Sequence, residues 1–215
     1  MTYNLKGIAL AASLALTAGT AQAASDFSFT GYFTGDADVV QFSFTVDTPS
    51  TVTLRSYSYA GGTMADGTVV AAGGFDPILS LSRGNYFLKE IFGGPLPVPE
   101  DPVTELALDA HYSTVLSAGT YTLMLSQFGN FSDWFYGEFF GFTESSPTFT
   151  AEYGCSQGRF CAYDGINRTG FWAIDLIGVE SATQVSVVPL PATAPLLLAG
   201  LAALGLRRRS RNRQR

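Results

Sequence analysis

Two aspartates in a short glycine-rich segment form the first pattern that could do chemistry. Asp36 and Asp38 are two positions apart, so both carboxylates could face one ion. Asp76, Asp101 and Asp109 lie in segments with loop character that a compact fold could bring near them. Calcium takes about six to eight oxygen ligands, many of them carboxylates. The interpretation we favour is that Asp36 shapes a turn and Asp38 starts a strand, with no cofactor required. The alternative is a Ca²⁺ site at Asp36, Asp38 and Asp76.

A second pattern is the aromatic segment 131–142, which has seven aromatic side chains in twelve positions. Exposed rings stack on the flat apolar faces of sugars, and tyrosine and tryptophan also form hydrogen bonds. Trp134 and Tyr136 are the candidate carbohydrate-stacking residues. The alternative is that these rings fill or cover the protein core, since large aromatics dominate burial.

The segment 154–158, Gly-Cys-Ser-Gln-Gly, matches the nucleophile-elbow pattern of serine hydrolases, with Ser156 as the nucleophile. That fold needs a strand before the serine, a helix after it and a histidine later in the chain. The single histidine, His111, precedes Ser156, and a glycine-rich turn follows it. We therefore expect no catalytic residues here, and His111 is interpreted as a polar residue at the start of a strand.

Alternating apolar and polar residues indicate the elements that must carry these side chains. Period-two alternation predicts strands with one buried face. The predicted strands are 27–30, 40–46, 51–57, 78–81, 86–91, 120–126, 148–153 and 171–177. Glycine, proline, asparagine and aspartate clusters separate them, and crossover helices are lacking, so the fold class is an all-β, antiparallel, jelly-roll-like β-sandwich. The proline-rich segment 93–102 is predicted to be a surface loop.

The charge of the region between the chain ends excludes some partners. All 18 acidic residues lie between Asp26 and Glu180, with five basic residues in the same region, so its net charge is −13 although the whole chain carries −6. Such a region is repelled by nucleic acid and by anionic lipid. Clustered carboxylates suit a divalent cation, although most also serve solubility.

The first 23 residues have the parts of a secretory signal peptide. Lys6 precedes an apolar stretch of about 12 residues, and Ala21-Gln22-Ala23 is a small-residue exit. A membrane span needs about 20 residues. We therefore expect signal peptidase to cleave between Ala23 and Ala24. Cys155 and Cys161 then lie in the exported region, where oxidising conditions allow the disulfide that we predict between them.

The chain ends in an uncharged apolar segment, 185–206, followed by six arginines. Its length is enough for one membrane helix, with the arginines in the cytoplasm. Two prolines interrupt it near its start, in the motif Val188, Pro189, Leu190, Pro191 and Ala192. This order of motif, apolar helix and arginine cluster resembles the PEP-CTERM sorting signal of Gram-negative bacteria, with Leu190 where glutamate is usual. The resemblance implies processing by an exosortase; the alternative is a permanent single-span anchor.

A second resemblance covers most of the region between the ends. Residues 35–44, 74–81 and 116–123 are similar, in order, to three signatures of the bacterial pre-peptidase C-terminal (PPC) domain, in particular the diverged variety found on PEP-CTERM proteins. In that variety an Arg-Thr pair, here Arg168-Thr169, precedes a Trp-Ala-Ile-Asp-Leu run, here 172–176. The resemblance implies a non-catalytic β-sandwich, with calcium in some relatives. The segment after Leu81 lacks the Asn-Asp-Asp cluster of those relatives.

Together these features predict a signal peptide (1–23), a PPC-like β-sandwich (24–187) and a sorting signal (188–215). The expected function is that of a non-catalytic exported protein, passing through the inner membrane to the cell surface or extracellular matrix, with a structural or adhesive role in exopolysaccharide. Two alternatives stay open. One is a calcium-dependent carbohydrate-binding module, and the other is a secreted glycosidase that uses a carboxylate pair.

Overall fold

The computed structural model describes residues 24–94, 98–132 and 142–185. The predicted signal peptide and sorting signal lie outside these residues, as do Trp134 and Tyr136. Within the described ranges, no helix has the length and hydropathy required to cross a bilayer.

The described chain is built from eleven β-strands and a short 3-10 helix, Phe149–Tyr153. In chain order the strands are β1 Ser25–Tyr32, β2 Val40–Val46, β3 Ser50–Ser56, β4 Gly62–Thr63, β5 Val69–Val70, β6 Pro77–Arg83, β7 Tyr86–Ile91, β8 His111–Leu116, β9 Gly119–Gln127, β10 Phe171–Val179 and β11 Ser181–Val185.

The strands form two antiparallel sheets in a sandwich-like arrangement, together with a small hairpin. One sheet has the order β1-β10-β3-β8, and the other has the order β11-β2-β9-β6-β7. The hairpin pairs β4 with β5. The all-β antiparallel class predicted from period-two alternation is therefore confirmed.

The core lies between the inward faces of the two sheets. In β2 the apolar residues alternate with polar ones and are all buried, and β10 contributes Trp172, Ile174 and Leu176 to the same cluster. Phe42 from β2 meets the Trp172 ring edge-on at 5.8 Å, which joins the two layers. This burial of alternate residues is what fixes the strand register, because a slip by one residue would turn the apolar face outward.

A buried carboxylate fastens the hairpin to the outer face of the first sheet. Asp175 in β10 accepts hydrogen bonds from Ser28 Oγ (2.6 Å), Tyr57 Oη (2.7 Å) and the backbone N–H of Ala65 (2.8 Å). Met64 from the loop after β4 packs beside Tyr57. Asp175 belongs to the Trp-Ala-Ile-Asp-Leu run, and its contacts give that residue a structural role.

Seven of the eight predicted strands are confirmed, and the prediction for 148–153 is wrong. That segment begins with the turn before Phe149 and continues as a 3-10 helix. Tertiary contacts explain the difference, because the backbone N–H and the hydroxyl of Thr150 both donate to the buried Asp36. His111 is the first residue of β8, and the start of a strand was predicted for that residue. The eight predicted ranges did not include β4, β5, β8 or β11.

Candidate functional site

Asp36 is a buried anchor for a long loop. Its Oδ2 accepts hydrogen bonds from the Thr150 N–H (2.8 Å) and Thr150 Oγ1 (2.5 Å), and its Oδ1 accepts one from the Phe160 N–H (2.6 Å). The backbone N–H of Asp36 donates to the carbonyl of Pro147. Both carboxylate oxygens are therefore held by protein donors, and the segment after Pro147 is tied to the turn before β2.

Asp38 and Asp76 lie in different surroundings from Asp36. Asp38 Oδ2 accepts bonds from the Thr34 N–H, Thr34 Oγ1 and the Gly35 N–H, which closes the turn, and β2 starts two residues later. Asp76 directly precedes β6. No group of three histidine, cysteine, aspartate or glutamate residues arranged for a metal ion occurs among the described residues. The structure does not bring Asp36, Asp38 and Asp76 together as one such group.

Ser156 and His111 occupy unrelated positions. Ser156 is exposed in the turn after Cys155, and its Oγ accepts a hydrogen bond from Asn167 Nδ2 at 2.8 Å. His111 opens β8 opposite Arg55 of β3, where burial and the neighbouring guanidinium lower the pKa of the imidazole.

The predicted disulfide between Cys155 and Cys161 is confirmed, with Cα atoms 5.3 Å apart. The bridged loop runs on to Arg168, whose backbone N–H donates to the carbonyl of Phe160 at 2.9 Å. Gln157 Nε2 donates to the carbonyls of Arg159 and Arg168. The bridge and these bonds hold the 155–168 loop in one shape against the end of the sandwich.

A cavity of about 260 Å³ lies between this loop and the ends of two central strands. Asp76, just before β6, and Gln127, the last residue of β9, contribute to its wall. The backbone N–H of Phe128 donates to the carbonyl of Asp76 at 2.8 Å, which fixes the two strand ends side by side. The cavity wall also includes Tyr59, Phe75, Leu106, Leu108, Tyr153, Phe160, Cys161, Ala162, Tyr163, Asp164 and Arg168.

Buried polar atoms without partners are concentrated around this cavity. Among the described residues, seven buried side-chain polar atoms have no hydrogen-bond partner, and three of them belong to the cavity wall. They are Asp76 Oδ1, Gln127 Oε1 and Arg168 Nε, two acceptors and one donor. Native proteins pair nearly all buried polar groups, so such a concentration distinguishes this region.

Arg168 places a fixed positive charge in the wall. Its guanidinium donates to both carboxylate oxygens of Asp101, at 2.9 and 3.1 Å, and lies 4.0 Å from the centre of the Tyr59 ring. Burial alone would raise the pKa of Asp101, but hydrogen bonds from Arg168 and from the Thr104 and Val103 amides lower it to about 2. The pair is therefore ionised and neutral overall at ordinary pH.

Asp76 has the opposite electrostatic environment. Burial raises its pKa well above the usual range, the neighbouring Asp109 raises it further, and Arg168 opposes the shift. Asp109 is itself buried, and its carboxylate accepts bonds from Ser56 Oγ and from the Tyr59 and Ala60 amides. The environment of Asp76 thus favours the protonated carboxyl, which can both donate and accept a hydrogen bond.

Aromatic side chains surround the polar part of the cavity. Phe75 and Phe160 are buried and stacked at 5.9 Å between ring centres. Toward solvent, Tyr163 is 90% exposed and Phe128 is 41% exposed. Tyr153 meets the Tyr163 ring edge-on at 5.9 Å. The arrangement presents apolar ring surfaces outside and hydrogen-bonding groups within, a combination typical of small-molecule sites.

The sequence indicated only part of this site. Asp76 was a candidate residue, but Gln127 and Tyr163 carried no motif and Arg168 entered only as part of the Arg-Thr pair. The available signal was the cluster of aromatic and acidic residues just after the second cysteine, where Tyr163 and Asp164 lie. Gln127 and Asp76 are 51 residues apart and meet only because β6 pairs with β9.

No protein-family model matches the chain, and no curated protein matches its sequence significantly.

Proposed function

We propose that this chain is a non-catalytic exported protein, processed by an exosortase and retained at the cell surface or in the exopolysaccharide matrix. The observation that carries the proposal is the disulfide between Cys155 and Cys161 within the described domain. Disulfides persist in oxidising compartments and are rare in the cytosol. The signal-like segments at both ends of the sequence agree with export.

The strand order supports the resemblance to a PPC-like, jelly-roll domain. The three segments similar to the PPC signatures contribute β2, β6 and β9, which are neighbours in one sheet in the order β2-β9-β6. If the hairpin and β11 are set aside, the remaining strands have the order β1-β10-β3-β8 in one sheet and β2-β9-β6-β7 in the other. This alternation of strands between two sheets supports a jelly-roll connectivity.

The charge of the region between the predicted signals disfavours two classes of partner. A net charge of −13 between the predicted signals disfavours binding to nucleic acid or to anionic lipid. A structural or adhesive role in exopolysaccharide requires binding to neither nucleic acid nor anionic lipid. The partners of this proposal are signal peptidase and the exosortase during processing, the inner membrane before it, and exopolysaccharide afterwards.

The experiment is the mass of the native protein from membranes and from medium, in cells with and without the exosortase. We expect a chain that begins at Ala24 and ends near Val188 to Pro191 when the exosortase is present, and one that ends at Arg215 when it is deleted. Replacing Val188-Pro189-Leu190-Pro191 by alanines should likewise give a chain that ends at Arg215, in cells that have the exosortase. An intact Arg215 end in the membrane regardless of the exosortase would show that the C-terminus is an ordinary anchor.

A further inference from the structure

The cavity beside the disulfide loop has the size of a site for one small ring. Its volume of about 260 Å³ lies just below the range of about 300–1,000 Å³ typical of sites for drug-sized ligands. Its wall is fixed by strand pairing between Pro77 and Gln127 on one side and by the Cys155–Cys161 bridge on the other. A ligand would therefore meet a largely preformed site.

The unpaired polar atoms give this cavity hydrogen-bonding capacity that the protein itself does not use. Asp76 Oδ1 and Gln127 Oε1 accept hydrogen bonds, and Arg168 Nε donates one. Among the described residues none of these atoms has a partner. A ligand with several hydroxyl groups can satisfy such a mixed set, because each hydroxyl both donates and accepts.

The charges around the cavity favour a neutral ligand. Arg168 is a permanent cation in the wall and disfavours a positively charged group, although Asp101 balances it. The exposed Asp164 disfavours an anion, as does the strong net negative charge of the domain. The charges therefore favour an uncharged ligand, and the mixed polar and aromatic wall favours one with both polar groups and apolar faces.

Pyranose sugars have this combination. Their C–H faces pack on aromatic rings while their hydroxyls form hydrogen bonds in the ring plane. Tyr163 and Phe128 contribute exposed rings to the cavity wall, and the polar side chains of Asp76, Gln127 and Arg168 contribute to the same wall. Tyr163 is 90% exposed, so its ring is accessible to a ligand.

We propose that this cavity binds one neutral pyranose unit of an extracellular polysaccharide. Asp76, Gln127 and Arg168 form hydrogen bonds with the sugar, and Tyr163 stacks on its face. This inference rests on the proposed function, which places the domain within exopolysaccharide. None of the residues named for this site belongs to the aromatic segment 131–142. The site uses side chains of the domain and no calcium.

The test measures binding of simple sugars to the full-length chain in detergent micelles, by isothermal titration calorimetry and saturation-transfer NMR. The probes are the methyl pyranosides of glucose, galactose, mannose and N-acetylglucosamine, with choline and glucuronate as charged comparisons, all with EDTA present. We expect at least one neutral pyranoside to bind and both charged probes to bind more weakly.

Three variants locate the site. Tyr163→Ala should weaken pyranoside binding by about 2- to 10-fold, the size of one aromatic contact. Tyr86→Ala is the matched control, since Tyr86 is 77% exposed at the start of β7, and should leave binding unchanged. Asp76→Asn retains a neutral hydrogen-bonding side chain of the same shape, so sugar binding should persist, whereas a cation site would lose its ligand.

Three results would overturn the proposal: no binding of any of the four pyranosides to the folded chain, tighter binding of choline or glucuronate, or equal affinities for Tyr163→Ala and Tyr86→Ala. The unprocessed chain is used, so the outcome does not depend on the exosortase. Export and processing could therefore be confirmed while sugar binding fails, or the reverse.

Discussion

The guanidinium of Arg168 binds the carboxylate of Asp101 through two hydrogen bonds, and the two side chains are 4% and 1% exposed. Asp101 also accepts bonds from the Val103 and Thr104 amides and from Thr104 Oγ1. The pair thus connects the loop after residue 98 to the loop that follows the disulfide. Its two members are not equivalent, because the carboxylate also accepts hydrogen bonds from the 103–104 segment, whereas the guanidinium has its counter-charge in Asp101.

Removing either member of this pair should therefore have unequal effects. Asp101→Asn leaves a buried guanidinium without its counter-charge and should lower the free energy of unfolding by about 3–5 kcal/mol. Arg168→Met should cost less, because Asp101 retains its three loop donors. Urea unfolding followed by circular dichroism measures both, with Lys89→Met on the exposed face of β7 as a control expected within about 0.5 kcal/mol of wild type.

The double variant completes a double-mutant cycle for Asp101 and Arg168. Asp101→Asn with Arg168→Met should lose less stability than the sum of the two single variants, because the second change removes the uncompensated charge that the first creates. Simple additivity would mean that the two groups are not energetically coupled, in contradiction to the contact described above.

Much of the fold was predictable because local patterning and burial agree. In β2 each apolar residue is buried and each intervening polar residue is more exposed. The sequence pattern therefore predicts the same inward face as the observed strand register. The segment 148–153 alternates in the same way but folds as a 3-10 helix. The backbone conformation of this segment is set by the hydrogen bond from Thr150 to Asp36, which is more than a hundred residues away in the chain. The local sequence pattern does not indicate that contact.

The candidate site was less predictable, since it depends on pairing across the chain. Asp101 was expected in a surface loop, yet Asp101 and Val98 are buried, because the loop folds back onto Arg168. An acidic residue among prolines gives no sign that it will meet a guanidinium 67 positions later. Only the local signal, two cysteines separated by five residues, led to a correct contact.

Stability should fall as pH rises above about 5. Burial is the largest cause that raises the pKa of Asp76, Glu90 and Asp109 in the folded state. A group with a raised folded pKa contributes its full stability below its unfolded pKa of about 4 and loses it as pH rises through the folded pKa. Asp101, whose pKa is lowered to about 2, acts in the opposite sense and loses its contribution as pH falls from about 4 toward 2.

Urea unfolding between pH 3 and pH 8 tests this profile. The free energy of unfolding should be highest near pH 4–5, and each raised group can contribute a slope of at most about 1.4 kcal/mol per pH unit. Asp76→Asn cannot ionise and should make the decline between pH 5 and pH 8 shallower. A stability that rises over that interval, or an unchanged slope in the variant, would contradict the role given to Asp76.

Loss of the disulfide should weaken both stability and the cavity wall. By loop entropy a bridge across six positions contributes about 2–3 kcal/mol, so Cys155→Ser with Cys161→Ser should lower the free energy of unfolding by that amount. Dithiothreitol should have the same effect on wild type and none on the double variant. Ala162, Tyr163 and Asp164 follow the bridge directly and contribute to the cavity wall, so sugar affinity should fall together with stability.

Two roles for Asp36 and Asp38, hydrogen bonding and calcium binding, predict different results for the same two variants. Asp36→Ala leaves the buried Thr150 and Phe160 amides without acceptors, and each such group costs about 1–3 kcal/mol, so a loss of about 3 kcal/mol or more is expected. Asp38→Ala removes a partly exposed turn contact and should cost about 1 kcal/mol, like a lost cap.

Calcium distinguishes the two explanations. A cation held by Asp36 and Asp38 would raise the unfolding midpoint of wild type in millimolar calcium relative to EDTA, and either variant would abolish that shift. The hydrogen bonds described here already occupy Asp36 Oδ1 and Oδ2 and Asp38 Oδ2, so we expect the same wild-type midpoint in both solutions. A calcium-dependent rise that disappears in Asp38→Ala would show instead that the turn before β2 opens to coordinate the ion.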